Sequence, residues 1–239
     1  MPVPKAVVCL PTYNERENLE RMLRALADKS VRVLVIDDNS PDGTGEIADR
    51  LAEELDYVDV LHRKSKEGLG PAYLAGFRHA LATDAELVLE MDCDFSHDPN
   101  YVPQLIGAVE GGADLALGSR YVPGGGVRNW GLLRRLISAG GSSYARIILG
   151  VKIRDLTGGF KCYRRAVLEA IDLDAIESKG YAFQIETTYR ALRAGFKVVE
   201  VPITFADREV GGSKMSKAIV AEAIWKVPGL RLKALLGRI

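Results

Sequence analysis

Two aspartates separated by one residue, Asp92 and Asp94, are the side chains of this sequence best suited to chemistry. They follow an apolar run, residues 87–91, that is typical of a buried strand. Alternate residues of an extended chain share one face, so the two carboxylates would repel each other unless a cation neutralised them. Hard cations such as Mg²⁺ and Mn²⁺ take oxygen ligands from carboxylates, water and substrate phosphates. The pair therefore predicts a metal–phosphate site, and a solvated polar loop is the alternative for an isolated pair.

The elements that must position these aspartates are alternating strands and helices. Apolar runs predict buried strands at residues 6–10, 31–36, 58–61 and 87–91, with amphipathic helices between them. This alternation indicates βαβ units and an α/β fold with a mainly parallel sheet. Polar clusters follow three of the strands, at residues 13–15, 37–40 and 92–96. Because such sheets bind ligands beyond the carboxyl ends of their strands, the three clusters should line one crevice.

Two stretches in the second half of the chain mix apolar with basic side chains. Residues 127–150 predict one long helix or two, which would be either core-facing or a groove floor or membrane-facing element. The tail, residues 215–239, predicts an amphipathic helical segment that contacts a membrane surface or a partner, or else packs on the domain. We expect residues 1–214 to form the catalytic domain and residues 215–239 to follow it as this segment.

The composition of the chain bears on three questions: nucleic-acid binding, the redox setting and contact with a membrane. Lys and Arg together number 32, as do Asp and Glu, so the net charge provides no argument for nucleic-acid binding. The three cysteines form no C-x-x-C motif, which favours reduced thiols and a cytosolic setting. No signal peptide and no apolar run of membrane-spanning length is visible, so lipid would be reached from the surface or through a partner.

Seven stretches of the chain, taken together and in order, resemble the polyprenol-phosphate (dolichol-phosphate) mannose synthases. These are inverting family 2 glycosyltransferases with the Rossmann-like, three-layer GT-A fold. Each stretch alone is a weak signal, but jointly they are specific and span most of the chain. The matching stretches are residues 11–18, 35–44, 91–99, 118–121, 155–160, 180–186 and 201–214.

The resemblance implies a set of site residues. Asp94 would bind Mg²⁺ or Mn²⁺ directly, with Asp92 beside it against the diphosphate. Arg120, Arg208 and Lys214 would bind the donor diphosphate or the acceptor phosphate, and these three residues with the two aspartates are the implied catalytic set. The implied nucleotide-sugar contacts are Pro11, Tyr13, Glu15, Ile36, Asp38, Asp92, Cys93, Asp94, Arg120, Arg208 and Lys214. Many relatives have Ala where this chain has Cys93, and we expect little effect because a small residue is kept.

The implied reaction moves mannose from GDP-mannose to a polyprenyl phosphate with inversion, at the cytoplasmic face of a membrane. The chain would be peripheral there, on its own or through a separate membrane-anchoring protein. One alternative is a polyprenyl-phosphate glucosyltransferase that uses UDP-glucose. A second is a non-catalytic nucleotide-sugar-binding subunit, which would have no need of Asp92, Asp94, Arg120 and Lys214. His97 is interpreted as a loop residue rather than as a support for the metal ligands.

Overall fold

The computed structural model of this chain describes residues 5–207, 217–237 and 239. The first half alternates strands with helices, and the second half is richer in helix. In chain order the elements are β1 (Ala6–Thr12), α1 (Leu19–Leu26), β2 (Arg32–Asp37), α2 (Thr44–Glu54), β3 (Val58–His62), α3 (Leu69–Leu81), β4 (Leu87–Glu90), α4 (Val102–Glu110), β5 (Leu115–Ser119), β6 (Gly126–Val127), α5 (Leu132–Leu149), β7 (Lys161–Arg164), α6 (Arg165–Ala170), α7 (Gly180–Arg193), β8 (Val198–Pro202), β9 (Thr204–Phe205) and α8 (Lys217–Leu235).

The central sheet has the strand order β3-β2-β1-β4-β7-β5-β8. Strand β7 runs antiparallel to both of its neighbours, β4 and β5, and the other pairs in this sheet are parallel. The predicted mainly parallel sheet is confirmed. The antiparallel β7 was not predicted, because its four residues follow a glycine-containing turn and are too few for a clear periodic pattern.

Helices cover both faces of the sheet because alternate strand residues point to opposite sides. Val8 and Leu10 of β1 pack in one apolar cluster with α1, α2 and α4, whereas Val7 and Cys9 pack in another with α3, α6 and α7. Helix α1 shows how the sequence specifies this arrangement. Its buried side chains recur at helical spacing along one face: Leu19, Met22, Leu23 and Leu26. The predicted three-layer α/β fold is confirmed.

Helices α5 and α8 form an outer pair around a third apolar cluster. Residues 132–149 make one continuous helix, which answers the question of one helix or two. Ala145 and Leu149 of α5 pack there with Val227 and Leu230 of α8 and with Tyr189 of α7. The tail helix is therefore packed on the domain. The expected boundary after residue 214 falls outside the described residues and stays a prediction.

None of the helices that the structure describes combines the length and the apolar character needed to cross a bilayer.

Candidate functional site

The carboxyl ends of β1, β2 and β4 meet at one edge of the sheet. These three strands are neighbours and parallel, with Thr12 opposite Asp37 and Cys9 opposite Glu90. The convergence of the three polar clusters, predicted from the sequence, is confirmed. We call the four aspartates that end or directly follow β2 and β4 the acidic edge: Asp37, Asp38, Asp92 and Asp94.

Sharp turns follow each of these strands. Asn14, Asn39 and Phe95 all have left-handed backbones, with φ of 57°, 58° and 60°. Asparagine enters this region readily, but a bulky aromatic residue does so at a cost in backbone strain. Phe95 is thus held by its surroundings, and Arg21 of α1 lies over its ring at 4.8 Å. The turn after Asp94 is therefore fixed by packing rather than by local preference.

Asp37 and Asp38, the first two aspartates of the acidic edge, form one wall of the crevice together with the end of β1. The Asp37 carboxylate accepts hydrogen bonds from the Ser40 hydroxyl at 2.6 Å and from the Ser40 backbone amide at 3.1 Å. Asp38 pairs with Arg63 Nη1 at 2.5 Å. Burial raises the pKa of the Asp38 carboxyl, and the arginine opposes this rise without cancelling it. This wall can accept donors from a ligand through carboxylates that are already oriented.

The residues expected to contact a nucleoside lie on this same wall. Pro11 of β1 lies opposite Ile36 of β2 in the register, directly before the two polar clusters. Lys66 Nζ lies 3.8 Å from the centre of the Tyr13 ring, which is half-buried. The backbone amide of Glu15 donates to Thr44 Oγ1 at 3.0 Å. The structure thus brings Pro11, Tyr13, Glu15, Ile36 and Asp38 together on one wall, and their contact with a nucleotide stays a prediction.

The second part of the acidic edge carries the predicted metal ligands. Asp94 is buried, and its Oδ1 accepts a hydrogen bond from the backbone amide of Ser96 at 3.0 Å. Asp92 is half-buried, and its Oδ1 accepts from the Tyr73 hydroxyl at 3.3 Å. Cys93 lies buried between the two aspartates. The local chain therefore orients both carboxylates from within a few residues or from the adjacent helix α3.

His97 is a buried residue of this loop, and its interpretation as a loop residue only was wrong. Its Nδ1 accepts a hydrogen bond from the backbone amide of Asp92 at 3.1 Å. Because Nδ1 is the acceptor, the neutral ring carries its proton on Nε2. The ring also stacks on Phe160 with a centroid distance of 4.8 Å. His97 therefore fixes the backbone at the first of the two aspartates.

The oxygen atoms of this loop fit a hard divalent cation. The Ser96 hydroxyl is buried and has no hydrogen-bond partner among the described residues. Ser96 lies two residues beyond Asp94 and bonds its carboxylate through the backbone amide, so its hydroxyl would offer a neutral oxygen in the same loop. Within the described part of the chain no three His, Cys, Asp or Glu side chains converge on one point. The donor set thus suits a cation that completes its ligands with water and substrate phosphate.

Arg120, at the end of β5, is locked in a buried ion pair. Its Nε donates to Asp155 Oδ2 at 2.7 Å, and its Nη2 donates to Asp155 Oδ1 at 2.6 Å. Burial alone would lower the pKa of the guanidinium, but Asp155 outweighs it, so the Arg120 pKa is raised. The predicted phosphate-binding arginine therefore lies at this edge as a cation that Asp155 holds in place.

A second arginine, Arg134, shares with Arg120 a contact to the Trp130 ring. The Cζ atom of Arg134 is 4.2 Å from the indole centre, and that of Arg120 is 5.6 Å from it. Arg134 Nη1 also pairs with Asp207 Oδ1 at 2.7 Å. We call Arg120 and Arg134 the guanidinium pair. Sequence reasoning gave no site role to Arg134, Asp155 or Trp130. Asp155 opens one of the seven matching stretches, and the signal for Arg134 was the basic character of residues 127–150.

An aromatic bridge connects the acidic edge to the guanidinium pair. The Phe205 ring lies 5.3 Å from the His97 ring and 5.3 Å from the Trp130 ring, centre to centre. His97 in turn holds the backbone of Asp92, and both guanidinium groups lie near the Trp130 ring. Carboxylates and guanidinium groups are therefore neighbours around one crevice. Such an arrangement can hold a metal-bound diphosphate on one side and a second anion on the other.

A buried polar cluster lies beneath the acidic edge. The Tyr163 hydroxyl donates to Glu90 Oε1 at 2.7 Å, and Lys161 Nζ donates to Thr187 Oγ1 at 3.0 Å. Burial lowers the pKa of Lys161 to about 8 and raises that of Glu90. Sequence reasoning missed this cluster, although a glutamate inside the apolar run before Asp92 was a visible signal. The cluster ties β4 to β7 and α7 directly behind the site.

Two of the predicted site residues cannot be located. Arg208 and Lys214 lie outside the described residues, so their expected phosphate contacts stay predictions.

The family model described as glycosyl transferase family 2 matches residues 7–172. The polyprenol monophosphomannose synthase of Mycolicibacterium smegmatis is 52% identical over 240 residues, which cover 99% of this chain and 91% of that protein. The undecaprenyl-phosphate mannosyltransferase of Micrococcus luteus is 52% identical over 225 residues, covering 93% and 92%. These matches extend beyond the residues of the family model, into the region of α7 and α8.

Solved structures of similar fold include glucosyl-3-phosphoglycerate synthase from Mycobacterium tuberculosis. Its complex with uridine diphosphate superposes with a TM-score of 0.67 at 20% identity, covering 95% of this chain and 79% of that one. Its complex with Mn²⁺, uridine diphosphate and glucosyl-3-phosphoglycerate gives a TM-score of 0.63 at 20% identity, covering 98% and 79%. At this identity the likeness supports the fold.

Proposed function

Because the chain belongs to glycosyl transferase family 2, we propose that it transfers mannose from GDP-mannose to a polyprenyl phosphate. The products would be polyprenyl phosphate β-mannose and GDP. The observation that carries the proposal is the 52% identity, over 99% of this chain, to a polyprenol monophosphomannose synthase. The crevice supports it independently, since it offers oxygen ligands for a metal-bound diphosphate and guanidinium groups for a phosphate.

The donor would lie along the acidic edge. Tyr13 and the Asp38–Arg63 pair would flank the guanine nucleoside beyond the ends of β1 and β2. Asp92 and Asp94 would hold Mg²⁺ or Mn²⁺, which when bound would offset the charge that gathers on the departing GDP. His97 would keep the Asp92 backbone in place throughout, because its hydrogen bond does not involve the carboxylate.

The acceptor phosphate would lie at the guanidinium pair. Arg120 donates to Asp155 through Nε and to Asp155 and Thr157 through Nη2, and among the described residues no side chain accepts a hydrogen bond from Nη1. Nη1 of Arg120 would therefore face the phosphate, and Arg134 would exchange its contact with Asp207 for a second one. Arg208 and Lys214 would add further cations from the undescribed stretch.

The reaction needs positioning more than proton transfer. A phosphate oxygen is already anionic near neutral pH, so the nucleophile needs no strong general base. The guanidinium pair would hold this oxygen at the face of the sugar opposite the departing diphosphate. A direct displacement in this geometry inverts the anomeric carbon, so an α-linked donor gives a β-linked product. The enzyme would act as a peripheral protein at the cytoplasmic face of a membrane.

A transfer assay tests the proposal. The full-length protein is mixed with a polyprenyl phosphate, Mg²⁺ or Mn²⁺, and either labelled GDP-mannose or labelled UDP-glucose. We expect a mannosyl lipid from GDP-mannose alone, with a β-anomeric signal by NMR, and loss of transfer when EDTA removes the metal. Transfer from UDP-glucose instead would support the glucosyltransferase alternative. Binding of GDP-mannose without transfer to any polyprenyl phosphate would support the non-catalytic alternative and overturn the proposal.

A further inference from the structure

A buried tyrosine of α3 contacts one of the two predicted metal ligands. The Tyr73 hydroxyl donates to Asp92 Oδ1 at 3.3 Å, and its ring stacks on Phe77 and Phe183 with centroid distances of 6.0 Å. Tyr73 is fully buried, which raises the pKa of its hydroxyl well above the ordinary value, and the charge of Asp92 adds to this rise. The phenol therefore keeps its proton near neutral pH and acts as a donor toward the carboxylate.

Close packing of α3 sets the position of this hydroxyl. Gly70 and Gly76 lie three residues before and after Tyr73, about one helical turn away on each side. A Cβ atom at Gly70 would lie 2.6 Å from the backbone oxygen of Ser178. A Cβ atom at Gly76 would lie 2.4 Å from Cδ1 of Ile36, a residue of β2. Both glycines thus allow an approach that a larger residue would prevent, and the distance from α3 to the sheet is tightly fixed.

Asp92 is consequently held at two points. Its backbone amide donates to His97 Nδ1 at 3.1 Å, and its carboxylate accepts from the Tyr73 hydroxyl. Asp94 is held in a similar way, because its Oδ1 accepts from the Ser96 backbone amide at 3.0 Å. Each of the two carboxylates already uses one oxygen as a hydrogen-bond acceptor. Both are therefore better suited to bind a cation through a single oxygen than through two.

Divalent cations differ in how they use carboxylates. Ca²⁺ takes about six to eight oxygen ligands in a flexible arrangement and accepts both oxygens of one carboxylate. Mg²⁺ requires a nearly octahedral arrangement and completes it with water and substrate phosphates. Mn²⁺ also suits carboxylate and water ligands in an octahedral arrangement. A carboxylate that a protein donor holds through one oxygen therefore favours Mg²⁺ and Mn²⁺ over Ca²⁺.

We propose that Tyr73 is a positioning residue that restricts Asp92 to one metal-binding oxygen and thereby selects Mg²⁺ or Mn²⁺ against Ca²⁺. The hydroxyl contacts the carboxylate and acts on the cation only through it. Without the hydroxyl, the Asp92 side chain is able to rotate and to offer both oxygens, which suits Ca²⁺. The inference rests on the proposed function in one respect, namely a cation bound by Asp92 and Asp94 next to a nucleoside diphosphate.

Cation binding in the presence of GDP tests this role without a catalytic readout. Unbound Mn²⁺ is measured by electron paramagnetic resonance, and Ca²⁺ is measured by its competition with Mn²⁺. We expect the original protein to prefer Mn²⁺ on the order of tenfold or more. The Tyr73→Phe variant keeps the ring but should bind Mn²⁺ about tenfold more weakly, with unchanged or tighter Ca²⁺ binding. The ratio of the two affinities should therefore fall about tenfold.

The Tyr57→Phe variant serves as a matched control. It removes a tyrosine hydroxyl that donates to the backbone oxygen of Leu23 at 3.1 Å, directly before the amino end of β3. Both cation affinities should equal those of the original protein. Circular dichroism melting checks the fold of each variant. If Tyr73→Phe does not fold, Tyr73→Met takes its place, since methionine fills irregular core space, and the same loss of selectivity is expected.

Two results would overturn the role of Tyr73. The original protein would show no preference for Mn²⁺, or the Mn²⁺/Ca²⁺ ratio would be the same in Tyr73→Phe as in the original protein. An equal fall in both affinities belongs to the second case and would mean that the hydroxyl only stabilises the surrounding structure.

The transfer assay separates this role from the proposed function. If the original protein transfers mannose with Mn²⁺ but the ratio is unchanged in Tyr73→Phe, only the role of Tyr73 fails. If the ratio falls as expected but no polyprenyl phosphate accepts mannose, the proposed function fails and the selection of the cation stands. An original protein that binds no Mn²⁺ with GDP would overturn the role of Tyr73 and the proposed metal site together.

Discussion

The acidic edge and the guanidinium pair lie in the same crevice, but they are held in different ways. Asp37 and Asp94 accept hydrogen bonds from backbone amides two or three residues further along the chain. Arg120 and Arg134 are held by carboxylates that are 35 and 73 residues away. The Asp37 and Asp94 carboxylates are therefore oriented by short turns, whereas the two guanidinium groups depend on the assembled fold.

The two kinds of contact should respond differently when one hydrogen-bond partner is removed. A turn that orients one carboxylate through several donors tolerates the loss of one of them, since the others remain. A buried arginine that depends on one carboxylate does not, because its loss leaves a charge with no counter-charge. Substitutions on the two sides of the crevice should therefore differ in what they damage.

The largest effect is expected at Asp94. The Asp94→Asn variant keeps an oxygen that can accept from the Ser96 amide but removes the charge that would hold the cation. We expect kcat/KM for mannose transfer to fall about a thousandfold, equivalent to ~4 kcal/mol, with an unchanged melting temperature. Asp98→Asn, at an exposed carboxylate of the same loop, serves as the control and should stay active. Full activity of Asp94→Asn would remove this residue from the mechanism.

An intermediate effect, mainly on stability, is expected at Asp155. The Asp155→Asn variant leaves the buried Arg120 guanidinium without its counter-charge. We expect the free energy of unfolding to fall by about 3 kcal/mol, measured by denaturant titration, together with a loss of transfer. The control is Asp174→Asn, which breaks an exposed ion pair with Arg78 and should cost about 0.5 kcal/mol or less. Equal losses in the two variants would refute the idea that Arg120 depends on a buried carboxylate.

The smallest effect is expected at Ser40. The Ser40→Ala variant removes the hydroxyl that donates to Asp37 but keeps the backbone amide that donates to the same carboxylate. We expect a loss of about 1 kcal/mol in the free energy of unfolding and nearly unchanged transfer kinetics. A loss as large as that of Asp155→Asn would mean that the acidic edge is no more tolerant than the guanidinium pair.

The contrast between nearby and distant contacts also explains which parts of the site could be predicted from the sequence. The acidic edge follows apolar runs that read as buried strands, and parallel strands bring their carboxyl ends together, so its convergence could be predicted. The role of His97 could not be predicted. Its ring is buried by stacking on Phe160, which belongs to a turn far along the chain. The sequence does not show that Asp155 and Trp130 contact Arg120 either. Their importance arises only when β7 and α5 bring them to Arg120.

The outer helices show a further limit of sequence patterns. Residues 127–150 and the tail both mix apolar with basic side chains, which fits a core helix and a membrane-facing helix equally well. In the structure each helix buries one narrow face against the domain and leaves another apolar face exposed. Helical spacing in a sequence identifies the apolar faces of a helix. It does not show which of these faces becomes buried in the folded protein.

The antiparallel strand β7 also affects the order in which this sheet is completed during synthesis. Strand β7 pairs with both β4 and β5, yet the ribosome makes it after both of them and after α5. Until residues 161–164 emerge, β4 and β5 have no neighbour on that side and expose unpaired backbone groups. Open strand edges are templates for aggregation in nascent chains. The strand that joins the two sides of the crevice is therefore also one whose late arrival leaves the edges of β4 and β5 unpaired in the nascent chain.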